Sequence, residues 1–171
     1  PELSSLQGVL YDKEGTSLLW FPLGKDDAEL ELSPTLVRLG DYALQGCRIQ
    51  SVQLPSSVRE LGIGVFHNAK SLKQVTLSEG VVRVPTACGS LRTVTLGKNT
   101  EYVSESCFDG CTALSELRVE AAVPPVCTEA SFLGAGEVYT RCILRVPATS
   151  VVTYRSHAVW GKFKYVKRIE N

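Results

Sequence analysis

The sequence predicts an α/β solenoid that is mainly β, a right-handed superhelix of short coils sharing one parallel sheet. Two observations carry that expectation. The first is a repeat. A core of the form L-x-x-V-x-L recurs as IQSVQL at 49–54, LKQVTL at 72–77, LRTVTL at 91–96 and LSELRV at 114–119. Leu30 and Leu32 fit the same slot before these, and Leu144 and Val146 fit it after them. The last apolar residue of each core falls at 32, 54, 77, 96, 119 and 146, giving intervals of 22, 23, 19, 23 and 27. A unit of about 23 residues cannot bury its own apolar face and must stack on its neighbours. The second observation is that no unit leaves room for a long helix, so each coil must close through a short helical turn.

Within a unit, the V-x-L alternation marks a short strand with Val and Leu inward and the residue between them outward. Strands are expected near 30–32, 52–54, 75–77, 94–96, 117–119 and 144–146. A turn follows each: SPT at 33–35, PSS at 55–57, GKN at 97–99. A second apolar pair comes next, Leu36 and Leu39 in one unit, Val58 and Leu61 in another. The coil then closes through GDYALQGC at 40–47, GIGVFHNA at 62–69 or SESCFDGC at 104–111.

That last alignment decides a question raised by CFDGC. Two cysteines four apart, with an aspartate between them, could hold a metal or form a redox pair. In the repeat, however, Cys107 fills the slot of Ala43 and Val65, and Cys111 the slot of Cys47 and Ala69. Both slots take small apolar residues, and a buried cysteine behaves as one. Cys47, Cys107 and Cys111 are therefore expected to be reduced, buried and metal-free. Cys88 and Cys107 are placed to stack on adjacent coils. Cys127 and Cys142, flanking the longest interval, are the pair best placed for a bridge, with thiols the default.

Composition narrows the function. The chain has 171 residues, 44% apolar and 21% charged, which is ordinary for a folded domain. Its 18 basic and 18 acidic residues cancel, which argues against a nucleic-acid binder. No run of about 18 apolar residues exists, so direct membrane insertion is not expected. The chain lacks Met and begins at Pro1, as a processed or trimmed piece would.

The repeated pattern, above all LxxVxLPSSVxxLGxxVFxxA at 49–69 and its degenerate copies from 28 to 142, resembles the BspA-like, or Treponema-type, leucine-rich repeat family. GVLYDKEGTSLLWFP at 8–22 looks like the family's leading hairpin, turning at Asp12 to Gly15. VPATSVVTYRSHAVWGKFKYVKRI at 146–169 looks like its closing cap. The resemblance implies a single domain over 1–171, with a hairpin cap at 1–27, repeats at 28–142 and a C-terminal cap at 143–171. The contracted unit at 72–90 departs from the pattern, because PTACGS replaces the helical turn and makes that side locally thin. The resemblance also implies a secreted or surface protein of bacteria or some protists, acting in adhesion or binding, and hence an extracellular or cell-surface location.

Stacked strands place their outward residues in columns. One reads Glu31, Gln53, Thr76, Thr95, Arg118 and Arg145; its neighbour reads Glu29, Ser51, Gln74, Thr93 and Glu116. Six strands at ~4.8 Å spacing make a face ~25 Å long, enough for a peptide or oligosaccharide segment. The first column is the candidate binding site, although polar alternation is also what any solvated sheet face shows. Residues 1–31 carry seven acidic and two basic side chains, and 141–171 carry seven basic and one acidic. Such ends could steer partners or simply solvate the caps.

Enzyme motifs are missing. There is no G-x-S-x-G, H-E-x-x-H, phosphate loop or G-x-G-x-x-G, and His67 fills the variable slot of Gln45 and Asp109. No catalytic residue, cofactor or metal is expected. Two functions remain: a non-catalytic module binding a protein or glycan, expected to be monomeric, or a structural spacer with no external ligand.

Overall fold

A computed structural model describes residues 3–25, 29–78, 81 and 89–170, with the side chain of Glu29 outside the description. The repeat period is realised as one strand of the main sheet per coil. Strands β4 (Glu29–Leu30), β6 (Ser51–Gln53), β8 (Gln74–Thr76), β9 (Thr93–Leu96), β10 (Glu116–Val119), β11 (Ile143–Val146) and β12 (Tyr165–Arg168) form a seven-stranded sheet in coil order. Every pairing in it is parallel.

The register aligns one apolar residue per rung. Leu30, Val52, Val75, Val94, Leu117, Leu144 and Val166 stand opposite one another in turn, and all are at most 8% exposed. Each such burial stabilises the fold by roughly 1.5–3 kcal/mol relative to an exposed side chain. The core expectations hold: Leu54, Phe66, Leu77, Leu96 and Phe108 are all buried, the last at 1% exposure.

A second sheet extends the picture beyond a single parallel sheet. Strands β1 (Leu3–Leu6), β2 (Val9–Asp12), β3 (Ser17–Trp20), β5 (Arg38–Leu39) and β7 (Glu60–Leu61) lie side by side in that order. The first three are antiparallel, and β3, β5 and β7 run parallel. The expected hairpin is β2 and β3, turning where Gly15 N–H donates to the Asp12 carbonyl at 3.1 Å. The second apolar pair of each coil supplies β5 and β7, joined through the hairpin to form one layer facing the main sheet's core.

The coil closures are hydrogen-bonded turns rather than helices. In the first, the N–H groups alternate. Ala43, Gln45 and Cys47 donate three residues back, while Tyr42, Leu44 and Gly46 donate to Ile63, Val65 and His67 of the next coil. The turns carry left-handed backbone at two places, at Tyr42 (φ 56), Gly64 (φ 60) and Ser106 (φ 53) and again four residues later at Gly46 (φ 64), Asn68 (φ 59) and Gly110 (φ 71). Gly and Asn are the residue types that adopt this conformation at least cost. Hydroxyls also tie coil to coil: Ser57 Oγ donates to the Leu36 carbonyl (2.7 Å), Ser78 Oγ to Val58 (2.9 Å) and Ser131 Oγ to Val103 (3.0 Å). The contracted segment from 82 to 88, with Cys88 and its suggested stacking on Cys107, lies outside the described residues.

The one-turn helix α1 (Val138–Arg141) precedes β11, and α2 (Val151–Ser156) and a short 3₁₀ turn at Trp160–Lys162 connect β11 to β12. Tyr154 and Trp160 are fully buried there. Among the described residues, no helix is long and apolar enough to cross a membrane.

Candidate functional site

The sheet register assembles the proposed column. Gln53 pairs with Thr76, Thr76 with Thr95, Thr95 with Arg118, and Arg118 with Arg145. Glu31 follows β4 one residue past its last paired position and is exposed. The column runs one rung further than the sequence indicated, because Arg145 pairs with Lys167 on β12. The neighbouring column continues likewise from Glu116 to Ile143 and Tyr165.

Accessibility divides these residues. Gln53 and Lys167 are exposed, and Thr76, Arg118 and Arg145 are half-buried. Thr95 is different, at 9% exposure, so it faces outward in register yet offers a ligand little surface. A short side chain between rungs ~4.8 Å apart has little area left to show. The usable face is therefore two half-faces with Thr95 as the floor between them.

The two halves differ chemically. An open groove of about 770 Å³ lies over the first, lined by Glu31, Gln53, Pro55, Ser56, Gln74 and Thr76, which are mostly neutral and polar. A second groove of about 540 Å³ lies at the far end, beside Arg118, Glu120, Pro147, Arg168 and Glu170. Two ion pairs order that end: Arg118 Nε to Glu120 Oε1 and Arg145 Nε to Glu116 Oε2, each 3.0 Å. The hydrogen bond and charge of Glu116 hold Arg145 protonated more firmly than usual.

The cysteines fall where the repeat places them. Cys47, Cys107, Cys111, Cys127 and Cys142 are all buried thiols, so Cys127 and Cys142 form no bridge. Burial, with Cys111 adding to it, pushes the Cys107 thiol well above its usual range, and burial pushes Cys127 and Cys142 up to about 12. Such thiols are poor nucleophiles and poor metal ligands. Among the described residues, no group of three or more His, Cys, Asp and Glu side chains could hold a metal ion. His67 is exposed, edge-on to the Tyr42 ring at 6.0 Å. His157 is structural, its Nδ1 accepting from the N–H groups of Val159 and Trp160.

Sequence reasoning missed a second surface. Leu19, Trp20, Leu23, Tyr42 and Ile63 are 37–70% exposed. They lie where β3 and the strands aligned with it lead into the coil closures. No signal marks them, because an apolar residue in an apolar repeat reads as core.

A coiled stack of parallel strands with one L-x-x-V-x-L core per rung is a leucine-rich repeat solenoid. The chain belongs to the BspA type leucine-rich repeat family, whose model matches six copies over residues 28–132. Solved structures share the fold. A leucine-rich cell surface protein from Faecalibacterium prausnitzii superposes with a TM-score of 0.69 at 18% identity, over 99% of this chain and 40% of that one. The pneumococcal vaccine antigen PcpA gives 0.68 at 17% identity, over 98% and 43%. A leucine-rich repeat protein from Eubacterium ventriosum gives 0.54 at 19%, over 71% and 40%. The chain thus spans less than half the length of these proteins. No curated protein is similar to it in sequence.

Proposed function

We propose that this chain is a non-catalytic binding module of a bacterial cell-surface protein, and that it docks a protein or glycan on its strand face. The observation that carries the reading is the register: Gln53, Thr76, Thr95, Arg118, Arg145 and Lys167 stand in one column on consecutive rungs of a rigid sheet, with Thr95 as its buried floor. Side chains held by a sheet lose little freedom when a partner docks. The cell-surface description of the Faecalibacterium protein supports the location, and the buried, high-pKa thiols speak against covalent chemistry. The test is a glycan array and a pull-down with the isolated chain, repeated with the Gln53→Arg/Thr76→Arg double variant. Both positions have surface to spare, so the melting temperature should hold while binding falls. A partner captured equally well by both proteins would remove the strand face from consideration.

One observation favours a second reading, a spacer that packs against neighbouring domains. Leu3, Leu6, Trp20 and Leu23 are 49–60% exposed, and all belong to the hairpin end. Exposed apolar groups gathered at one end suit a fixed protein contact. Joining the chain to its natural flanking sequence and measuring hydrogen exchange at 3–23 tests this. Protection that appears only in the longer protein supports the spacer, and unchanged exchange opposes it.

A further inference from the structure

We infer that the C-terminal end of the strand face is a site for an acidic polysaccharide, one whose sugar rings carry carboxylates. This rests on the strand-face reading and assigns that face a ligand class. Two in-register rows meet there. Arg118, Arg145 and Lys167 stand opposite one another on β10, β11 and β12, and beside them stand Glu116, Ile143 and Tyr165. At ~4.8 Å per rung, the three cations span about 10 Å.

Like charges directly opposite across strands oppose pairing, so the sheet holds this row against repulsion. The acids on the same ground offset two of its three members and leave Lys167 uncompensated. Glu120 pairs with Arg118 and Glu116 with Arg145, and Glu170 lies at the groove beyond. Among the described residues, neither Lys167 nor Arg168 has a carboxylate within ion-pair distance. Seven basic side chains against one acidic one in 141–171 set the sign of the whole end. The complement of this surface is a polyanion.

Tyr165 selects among polyanions. Tyr165 is 41% exposed, with half-buried Ile143 directly opposite on β11. An aromatic ring beside an aliphatic side chain makes a small flat apolar step, on which the C–H face of a pyranose can rest while its carboxylate reaches Lys167. Lys164 Nζ lies 5.3 Å from the ring centroid. At an exposed ring that is a weak contact, and a docking sugar displaces the ammonium into reach of a second carboxylate. An acidic peptide would use the cations and leave the ring idle. A nucleic acid would need more than one stacking platform and a basic excess over the whole chain.

The experiment measures binding of the whole chain to polygalacturonate, its methyl-esterified form, poly-L-glutamate and poly(U), at ~50 and ~500 mM NaCl. Polygalacturonate should bind and weaken with salt, and the ester should not bind. Lys167→Glu and Tyr165→Ala should each lower affinity by about tenfold or more, the loss of one good contact, while Tyr165→Trp should retain it. Both positions are exposed, so an unchanged melting temperature accompanies each. No polygalacturonate binding, or equal binding of poly-L-glutamate or poly(U) with Tyr165→Ala unaffected, overturns the assignment. The two readings also separate. A neutral ligand lost in Gln53→Arg/Thr76→Arg but indifferent to Lys167→Glu sinks this inference and keeps the strand face. Polygalacturonate lost only in Lys167→Glu keeps the inference and confines the site to the last rungs.

Discussion

The two ends of this solenoid solve the same problem differently. At the C-terminal end, Phe132 is stacked against Phe108 at 5.1 Å and meets Trp160 and Phe163 edge-on at 5.5 Å each. Two polar tips of that cluster are satisfied: Trp160 Nε1 donates to the Pro125 carbonyl and the Tyr154 hydroxyl to the Ala121 carbonyl, both at 2.8 Å. Arg155 even donates to the Val166 carbonyl on the last strand. At the N-terminal end, a hairpin covers the first coil but leaves Leu3 and Leu6 more than half exposed. A repeat stack must be closed wherever it stops, because the last unit has no neighbour. One end is closed by volume, with aromatics that bury area and place a donor. The other is closed by a hairpin layer that buries Val9, Tyr11, Leu18 and Phe21 on its inner face and leaves its outer face open to solvent.

The strongest way to break that comparison is to empty the aromatic cap. Trp160→Ala removes a fully buried indole and strands the Pro125 carbonyl, and should cost about 3–5 kcal/mol or more. Phe108→Ala, in the last complete coil beneath the cap, should cost a similar ~3–5 kcal/mol. Urea denaturation followed by tryptophan fluorescence or circular dichroism measures both. Losses below about 1 kcal/mol would mean the cap is an appendage and the stack closes without it.

A finer contrast lies between two tyrosines of the same cap. Tyr154→Phe leaves the buried Ala121 carbonyl without its donor and should cost about 1–3 kcal/mol. The Tyr139 hydroxyl is buried with no hydrogen-bond partner, and burial pushes it up to about 12, with Cys127 and Glu129 adding to the shift. Removing that oxygen relieves a desolvated polar group, so Tyr139→Phe should be neutral or slightly stabilising. If the two substitutions cost the same, hydrogen bonding is not what orders the cap.

The sequence made much of this legible, for a reason visible in the rungs. Val75 and Val94 sit in register because each coil repeats one inward residue between outward ones, and that alternation survives as a pattern. The second sheet was not legible. Strands β5 and β7 have two residues each, too short for any alternation, and they exist because β3 offers them an edge. The rung at β12 was hidden for another reason. Tyr165, Val166 and Lys167 alternate correctly, but they lie beyond the repeat proper, in a stretch that reads as a cap. Thr95 shows the limit of register reasoning: orientation follows from period two, whereas accessibility depends on neighbouring side chains.

At the thin end the expected effects are small. Leu6→Ser should shift stability by less than about 0.5 kcal/mol, since Leu6 is 60% exposed already. A cost matching that of Trp160→Ala would show the hairpin closing the stack as firmly as the cap does.

The smallest effect is a pH response confined to the hairpin. The Asp12 carboxylate accepts from the Thr16 N–H (2.7 Å), the Ser17 N–H (2.9 Å) and the Thr16 hydroxyl (2.9 Å), which pins the turn. Those bonds, the Ser17 N–H first, hold its pKa below the usual value of 3.8. A group whose folded pKa is depressed contributes stability that is present above its unfolded pKa and lost as pH falls through the folded one. The turn should therefore be intact at neutral pH and loosen as the solution is acidified below about pH 4. Amide exchange at Ser17, corrected for its intrinsic pH dependence, reads this directly, and Asp12→Asn should erase the transition. The Trp160 indole N–H, bound to a carbonyl that does not titrate, should show no such step. If both ends lose protection together on the same acid transition, the hairpin and the cap are one cooperative unit and the contrast between them is structural only.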